Sequence, residues 1–403
     1  MKNKLMKSME ILMTVLILFY AVKLPIFAVE DPQNTEIELI SETDGDIIPD
    51  ASPILSSKSA ILMEATTGKI LYSSHAHDAL PPASVTKIMT LLLIMEAIDA
   101  DLIKLTDTVT VSANAASMGG SQVYLKEGEQ MILEDLLKSV VIASANDAAV
   151  ALAEHLCGSA DTFVQKMNQR AEQLGMKNTK FENVTGLDDT AQNHLTSAND
   201  IALMSKELIR HETILKYSSI WMDTIRDGAF GLTNTNRLVR FYRGCTGLKT
   251  GSTSKAGFCV SVTAKREDLS LICVIMGAET RDIRNAEATM LLDWGFANYG
   301  VYSVPAEEMD PAYVTGGKNP YCKTISEPFS CVLLKNEISS IERRIELPDK
   351  INAPIADGDQ IGKIVYYLGD QTVGECKIVA LESIPKINFF EIWKRITAKL
   401  LLI

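Results

Sequence analysis

The chain has 403 residues, 47% of them hydrophobic, which is enough apolar material for two cored domains and too much for a disordered polymer. Its formal charge of −12 excludes a nucleic-acid binder, because such a protein needs a basic face. Outside the two chain ends there is no basic run with interleaved aromatics.

Residues 1–28 read as a secretory signal: Lys2, Lys4 and Lys7 precede a charge-free apolar stretch from Ile11 to Val22, and Ala28 closes a cleavage site. As a helix that stretch would span only about 18 Å against a hydrocarbon core of roughly 30 Å, which favours cleavage over an uncleaved anchor. The signal carries four lysines and one glutamate, so its loss would leave a charge of −15. Residues 29–57 hold eight acidic residues, three prolines and no Lys or Arg, the composition of a flexible leader.

From Lys58 the pattern is strand-like. Residues 60–63 and 69–72 predict a hairpin, with Gly68 at the turn position that favours positive φ. Pro81-Pro82 interrupts regular structure, and Val85 to Ala97 is apolar nearly all round, as in a buried central helix. Further helices are predicted at Leu133–Ile142, Asp147–His155, Asp161–Leu174 and Asn199–Ile209. Strands follow at Gly257–Ala264 and Leu269–Met276, and a helix at Arg284–Phe296. After about Tyr299 short β-type runs dominate, including Phe329–Leu334, Ile361–Leu368 and Cys376–Leu381, the texture of a separate β domain over residues 300–385. Residues 386–403 are helical again. Phe389, Trp393, Ile396, Leu400 and Ile403 form one apolar stripe, and four basic residues face one acid. That suits a helix lying in a membrane interface; packing against its own β domain is the alternative.

Three short motifs carry chemistry: Ser84-Val-Thr-Lys87, Ser144-Ala-Asn146 and Lys249-Thr-Gly251. Each is weak alone, because Ser-x-x-Lys recurs at Ser252 and Ser383, and Ser-x-Asn recurs at Ser112 and Ser197. Context separates most of them. Ser84 opens the buried helix, where free backbone N–H groups can stabilise an oxyanion and Lys87 shares its face one turn on. A plain N-cap is the competing reading of Ser84. Ser144 and Asn146 lie in a link between two helices which, if extended, points both side chains the same way. Ser197 reads as a helix cap with Asp200. Ser112 is not separated from Ser144 by pattern alone. Lys249 and a neighbouring hydroxyl on an edge strand suit a carboxylate, and Gly251 admits a peptide backbone.

The set predicts acyl transfer. Ser84 is the nucleophile and Lys87 the base, kept neutral by burial and by a second cation, Lys249. Ser144 relays a proton to the leaving amine, and Asn146 holds the substrate amide. No cofactor or metal is implied. The five histidines show no metal-ligand spacing and read as loop or surface residues. The seven cysteines leave at least one thiol free. Cys259 and Cys273 sit symmetrically about Arg266, where they could face each other, but small buried thiols suit strand interiors.

From about Ser52 to Pro385 the chain resembles the serine-type D-alanyl-D-alanine carboxypeptidases, the low-molecular-mass penicillin-binding proteins. The likeness is carried in order by Met63-Glu-Ala-Thr-Thr-Gly-Lys-Ile-Leu, Leu80-Pro-Pro-Ala-Ser-Val-Thr-Lys-Ile-Met-Thr, Gly119-Gly-Ser-Gln, Leu195-Thr-Ser-Ala, Gly247-Leu-Lys-Thr-Gly-Ser and Met276-Gly-Ala-Glu-Thr-Arg. The resemblance implies an α+β, penicillin-recognising domain (58–299) of helices on an antiparallel sheet, followed by a β-rich domain. It implies that Lys249 and Thr250 hold the terminal carboxylate of a peptidoglycan stem peptide ending in D-Ala-D-Ala, assisted by Arg284. The backbone N–H groups of Ser84 and Ser252 would form the oxyanion hole, and β-lactams would acylate Ser84 from outside the cytoplasmic membrane. Ser252 stands where several relatives have a bulkier residue, and the cysteines are more numerous than the family leads one to expect. A β-lactamase is disfavoured because the stretch between Ser144 and Lys249 lacks Glu-x-x-Leu-Asn. A silent binding module would not need both Ser84 and Lys87. Endopeptidase and transpeptidase action share the same acyl-enzyme.

Overall fold

The computed structural model describes residues 52–187 and 191–400, the side chains at 398 and 399 excepted. The signal at 1–28, the leader up to residue 51 and Ile403 lie outside the described residues. The fold starts with the expected hairpin, β1 (Ser59–Glu64) and β2 (Ile70–Ser74), with Gly68 at φ +81 in its turn.

After the Pro81-Pro82 break a 3-10 turn (Ala83–Thr86) leads into α1 (Lys87–Asp99). Most of α1 is buried, from Ile88 through Met95, which explains a sequence with no polar face. Around it pack α2 (Leu133–Ala143), α3 (Asn146–Cys157), α4 (Ala160–Gln173) and α5 (Ala198–Leu208). Two short helices, α6 (Glu212–Ser218) and α7 (Leu238–Phe241), precede β3 (Cys245–Thr253). Then come β4 (Gly257–Arg266), β5 (Leu269–Ala278) and α8 (Arg281–Asn298).

The five strands form one antiparallel sheet in the order β2-β1-β5-β4-β3, which leaves β3 at an edge. Strand side chains alternate between faces, so this sheet serves two cores. Ile61, Met63, Ile272 and Val274 face the helices around α1, whereas Ala60, Leu62, Leu271 and Ile275 face Leu291 and Leu292 of α8. Cys259 belongs to the first core and Cys273 to the second. Cys273 stands opposite Val262, so the two cysteines do not face each other. A register shift between Phe258 and Val260 defeats the symmetry suggested by their spacing. All seven cysteines are free thiols.

Beyond α8, β6 (Tyr299–Val304) and β9 (Phe329–Leu334) pair with each other. A six-stranded sheet contains β7 (Glu308–Thr315), β8 (Tyr321–Ser326), β10 (Ile341–Glu346), β11 (Ile351–Asn352), β12 (Gln360–Leu368) and β13 (Gln371–Ala380), in the order β10-β12-β13-β8-β7-β11. The last helix, α9 (Phe389–Leu400), leaves its apolar stripe open: Phe389, Trp393, Ile396 and Leu400 are all between 52% and 76% exposed. It meets the β-rich part through polar groups, Lys318 pairing with Glu391 at 2.9 Å and Arg395 donating to the Lys318 carbonyl. Among the described residues no helix is long and apolar enough to cross a membrane.

Candidate active site

The three motifs converge on a cleft of about 600 Å³ lined by Ser84, Ser144, Thr250, Gly251, Ser252 and Arg284. Lys87, Asn146 and Lys249 stand behind that lining and are almost wholly buried.

Ser84 lies within the 3-10 turn and makes no side-chain cap bond, so the N-cap reading fails. In such a turn residues i and i+3 are nearly eclipsed, and Lys87 Nζ comes to 2.9 Å from Ser84 Oγ. A second bond, to the Thr185 carbonyl at 3.1 Å, fixes the amine. Ala83, just before the serine, has φ +49, a conformation that L-residues adopt sparingly and that concentrates at functional sites. The turn is pressed against β3: a Cβ on Gly251 would lie 2.8 Å from Ser84 N and from the Pro82 carbonyl. Only glycine admits that approach.

Ser144 corrects one expectation. The link is not extended: α2 closes with Ser144 in the left-handed region (φ 62, ψ 28), and Ala145 N–H donates back to the Ser139 carbonyl at 3.1 Å. This abrupt reversal, and not i, i+2 alternation, aims Ser144 at the cleft, where Lys249 Nζ donates to its Oγ at 2.8 Å. Asn146 opens α3 and donates from Nδ2 to the Gly119 carbonyl at 2.6 Å, while its buried Oδ1 has no hydrogen-bond partner among the described residues. Lys249 also donates to the Thr250 carbonyl at 2.9 Å, and Thr250 Oγ1 donates to Thr235 Oγ1 at 2.8 Å. Arg284, in the first turn of α8, donates to the Cys259 carbonyl at 3.3 Å and to Asn285 Oδ1 at 3.1 and 2.9 Å.

The electrostatics follow from burial. Desolvation, then the charge of Lys249, holds the Lys87 amine well below the ordinary lysine value of 10.5; Asp147 opposes them. Lys249 itself is lowered to about 7 by burial and then by Arg284, which burial and Arg281 bring to about 10. A buried lysine held well below its ordinary value gives up its own proton more readily and can then accept one, and a hydroxyl lies 2.9 Å away.

The competing serines fall away on geometry. Ser112 caps a short helical turn, accepting from Ala115 N–H at 2.9 Å, and its hydroxyl donates to Glu154. Ser197 caps α5 through Asp200 N–H at 3.2 Å, as its spacing indicates.

Other residues at the site gave no motif signal. Arg237 and Arg281 line the cleft, as do Trp221 and Phe241. Asp147, immediately after Ser-Ala-Asn146, is buried and accepts from Val123, Leu125 and Ala148 N–H groups at 2.9–3.3 Å, which ties down the loop beside Asn146. Its place directly after a motif was the available signal. His194 lies in a loop but not at the surface: it is 4% exposed, because both ring nitrogens find partners behind the Ser84 turn.

Helices on an antiparallel sheet, with a Ser–Lys pair set against the sheet's edge strand, define a serine hydrolase of the penicillin-binding-protein type. The comparisons with known proteins make this specific. The family model of D-alanyl-D-alanine carboxypeptidases matches residues 48–280, and that of the penicillin-binding protein 5 C-terminal domain matches residues 314–386. The chain belongs to the D-alanyl-D-alanine carboxypeptidase family and is a serine peptidase. It is 43% identical over 346 residues to the D-alanyl-D-alanine carboxypeptidase DacF of Bacillus subtilis (strain 168), covering 84% of this chain and 88% of that protein. The crystal structure of penicillin binding protein 5 from Haemophilus influenzae superposes with a TM-score of 0.74 at 31% identity, covering 84% of this chain and all of that one. Penicillin-binding protein D2 from Listeria monocytogenes, solved in an ampicillin-bound form, gives a TM-score of 0.56 at 31% identity over 61% of this chain and 99% of that one.

Proposed function

We propose that this chain removes the terminal D-alanine from peptidoglycan stem pentapeptides through an acyl-enzyme on Ser84. The observation that carries the reading is the 2.9 Å contact between Ser84 Oγ and a buried, neutral-leaning Lys87 amine. Lys87 takes the hydroxyl proton as Ser84 attacks the carbonyl of the penultimate D-alanine. The backbone N–H groups of Ser84 and Ser252 receive the oxyanion; losing one such donor typically costs about 3–4 kcal/mol of transition-state stabilisation. Ser144 Oγ accepts from Lys249 and relays to the leaving amine the proton that Lys87 took from Ser84, so Lys87 and Ser144 both end acylation in their starting states. Water then releases the shortened peptide.

Lys249, Thr250 and Arg284 hold the substrate carboxylate, and the unpartnered Oδ1 of Asn146 accepts from a substrate amide N–H; the space at Gly251 is taken by the Ser84 turn, not by substrate backbone. A β-lactam presents a strained amide to the same serine, and the ampicillin-bound Listeria relative supports covalent capture of such antibiotics here. Purified protein incubated with a pentapeptide releases D-alanine, and with penicillin forms a long-lived adduct on the peptide containing Ser84; Ser84→Ala abolishes both. Rapid penicillin turnover in place of a stable adduct would make the protein a β-lactamase and sink the proposal.

The same reading gives the chain its place in the cell. Residues 1–28 export it and residues 29–57 serve as an acidic leader. Residues 58–299 form the catalytic domain, 300–385 the β-rich domain, and 386–403 an amphipathic helix on the outer face of the cytoplasmic membrane. The exposed apolar stripe of α9 and its polar attachment through Glu391 and Arg395 support that last assignment over packing against its own domain.

A further inference from the structure

His194 belongs to none of the three motifs, yet its imidazole sits against the turn that carries Ser84. Its segment is fastened on two sides. Lys180 and Leu195 exchange backbone bonds of 2.9 and 3.1 Å, and Leu80 and Thr196 exchange bonds of 2.8 and 2.9 Å. Phe181 meets the ring edge-on with centroids 5.7 Å apart. Glu182 N–H donates to His194 Nδ1 at 3.0 Å. A ring nitrogen that accepts carries no proton, so the proton resides on Nε2. Nε2 lies 2.7 Å from Thr86 Oγ1, and its N–H therefore donates to that hydroxyl. Thr86 is wholly buried and is the third residue of Ser84-Val-Thr-Lys87.

The same segment grips the turn elsewhere. Lys87 Nζ donates to the Thr185 carbonyl at 3.1 Å, and Thr90 Oγ1 donates to the Val184 carbonyl at 2.7 Å. A Cβ on Gly186 would lie 1.8 Å from the Ala83 carbonyl oxygen. In these contacts the segment offers backbone; His194 adds a directed side-chain donor. With Gly251 of β3 pressing from another direction, the strained Ala83–Thr86 turn is held from outside.

The geometry points to His194 as a positioning residue for the nucleophile: its Nε2–H tautomer, imposed by Glu182, holds Thr86 and thereby sets Ser84 Oγ against Lys87 Nζ. This rests on the reading of Ser84 as the acylated residue.

The test is the second-order rate of Ser84 acylation by benzylpenicillin, followed by intact-protein mass, with thermal unfolding measured in parallel. Asn at 194 offers an acceptor near the Nδ1 position but no donor at the Nε2 position, and Gln the converse. His194→Asn and Thr86→Val slow acylation by about tenfold or more, since small displacements of reacting atoms are costly. His194→Gln and Thr86→Ser stay within about threefold of wild type, and the His194→Asn/Thr86→Val double variant is no slower than the worse single, because both remove one bond. Should His194→Asn fail to fold, the Thr86→Val and Thr86→Ser pair reads the same bond. Equal slowing by Asn and Gln, or a folded His194→Asn protein that acylates at the wild-type rate, overturns the positioning role while leaving Ser84 as nucleophile. Wild-type protein that does not label at Ser84 overturns both.

Discussion

Lys87 and Lys249 are buried amines in one site, and each is easier to bury without its proton. Unfolding restores both to the ordinary lysine value of 10.5, so above about pH 7 the unfolded chain binds more protons than the folded one and stability rises with pH. The buried thiols work the other way. Cys245 and Cys259 are raised from 9.0 to about 11, so above about pH 9 the unfolded chain loses protons that the folded one keeps. The midpoint of urea unfolding therefore increases between pH 7 and 9, and Lys249→Met flattens the rise; a midpoint that falls over this window contradicts the assignment. Residue identities were the most legible part of the site, because the spacings of Ser84 to Lys87 and of Ser144 to Asn146, which recur elsewhere in the chain, occur here together with Lys249 and with Ser84 at the start of a buried helix. His194 and Arg237 did not, since a lone histidine or arginine carries no spacing and acquires its role only when distant segments meet.

At the scale of elements, the site is a junction of the Ala83–Thr86 turn, the left-handed end of α2 and the edge strand β3. The sequence foretold the principal helices and the central strands because a buried helix and a two-faced strand each leave a periodic apolar trace. It did not foretell how elements join. The Ser144 reversal is a backbone conformation unusual for a non-glycine residue, and nothing in Ser-Ala-Asn spells it. Similarly, the register shift beside Cys259 breaks a symmetry that counting residues implied. The closeness of β3 to the turn has a direct consequence. Gly251→Ala inserts a Cβ 2.8 Å from Ser84 N and 2.9 Å from Val85 N, so the turn must move. Acylation by penicillin falls by about a hundredfold while the circular dichroism spectrum is retained. A variant that acylates as fast as wild type shows instead that the turn yields harmlessly.

Across the whole molecule, the change of sequence texture after Tyr299 coincides with the end of α8 and the start of the β-rich part. The strand order of that part was not legible, because several of its strands are largely exposed and leave little apolar pattern, as in Ile341–Glu346. The exposed stripe on α9 makes a separable prediction. Protein ending at Pro385 keeps its penicillin-labelling rate but stops sedimenting with anionic lipid vesicles, whereas the longer chain binds them; equal sedimentation of the two sinks the membrane role of the helix. The edge position of β3 matters at this scale too. A strand at the edge of a sheet is a surface on which the same strand of another copy can pair. Copies carrying a formal charge of −12, or −15 once the signal is lost, repel one another before their edges can meet. The same acidity that excludes nucleic acid thereby acts against edge-to-edge self-association.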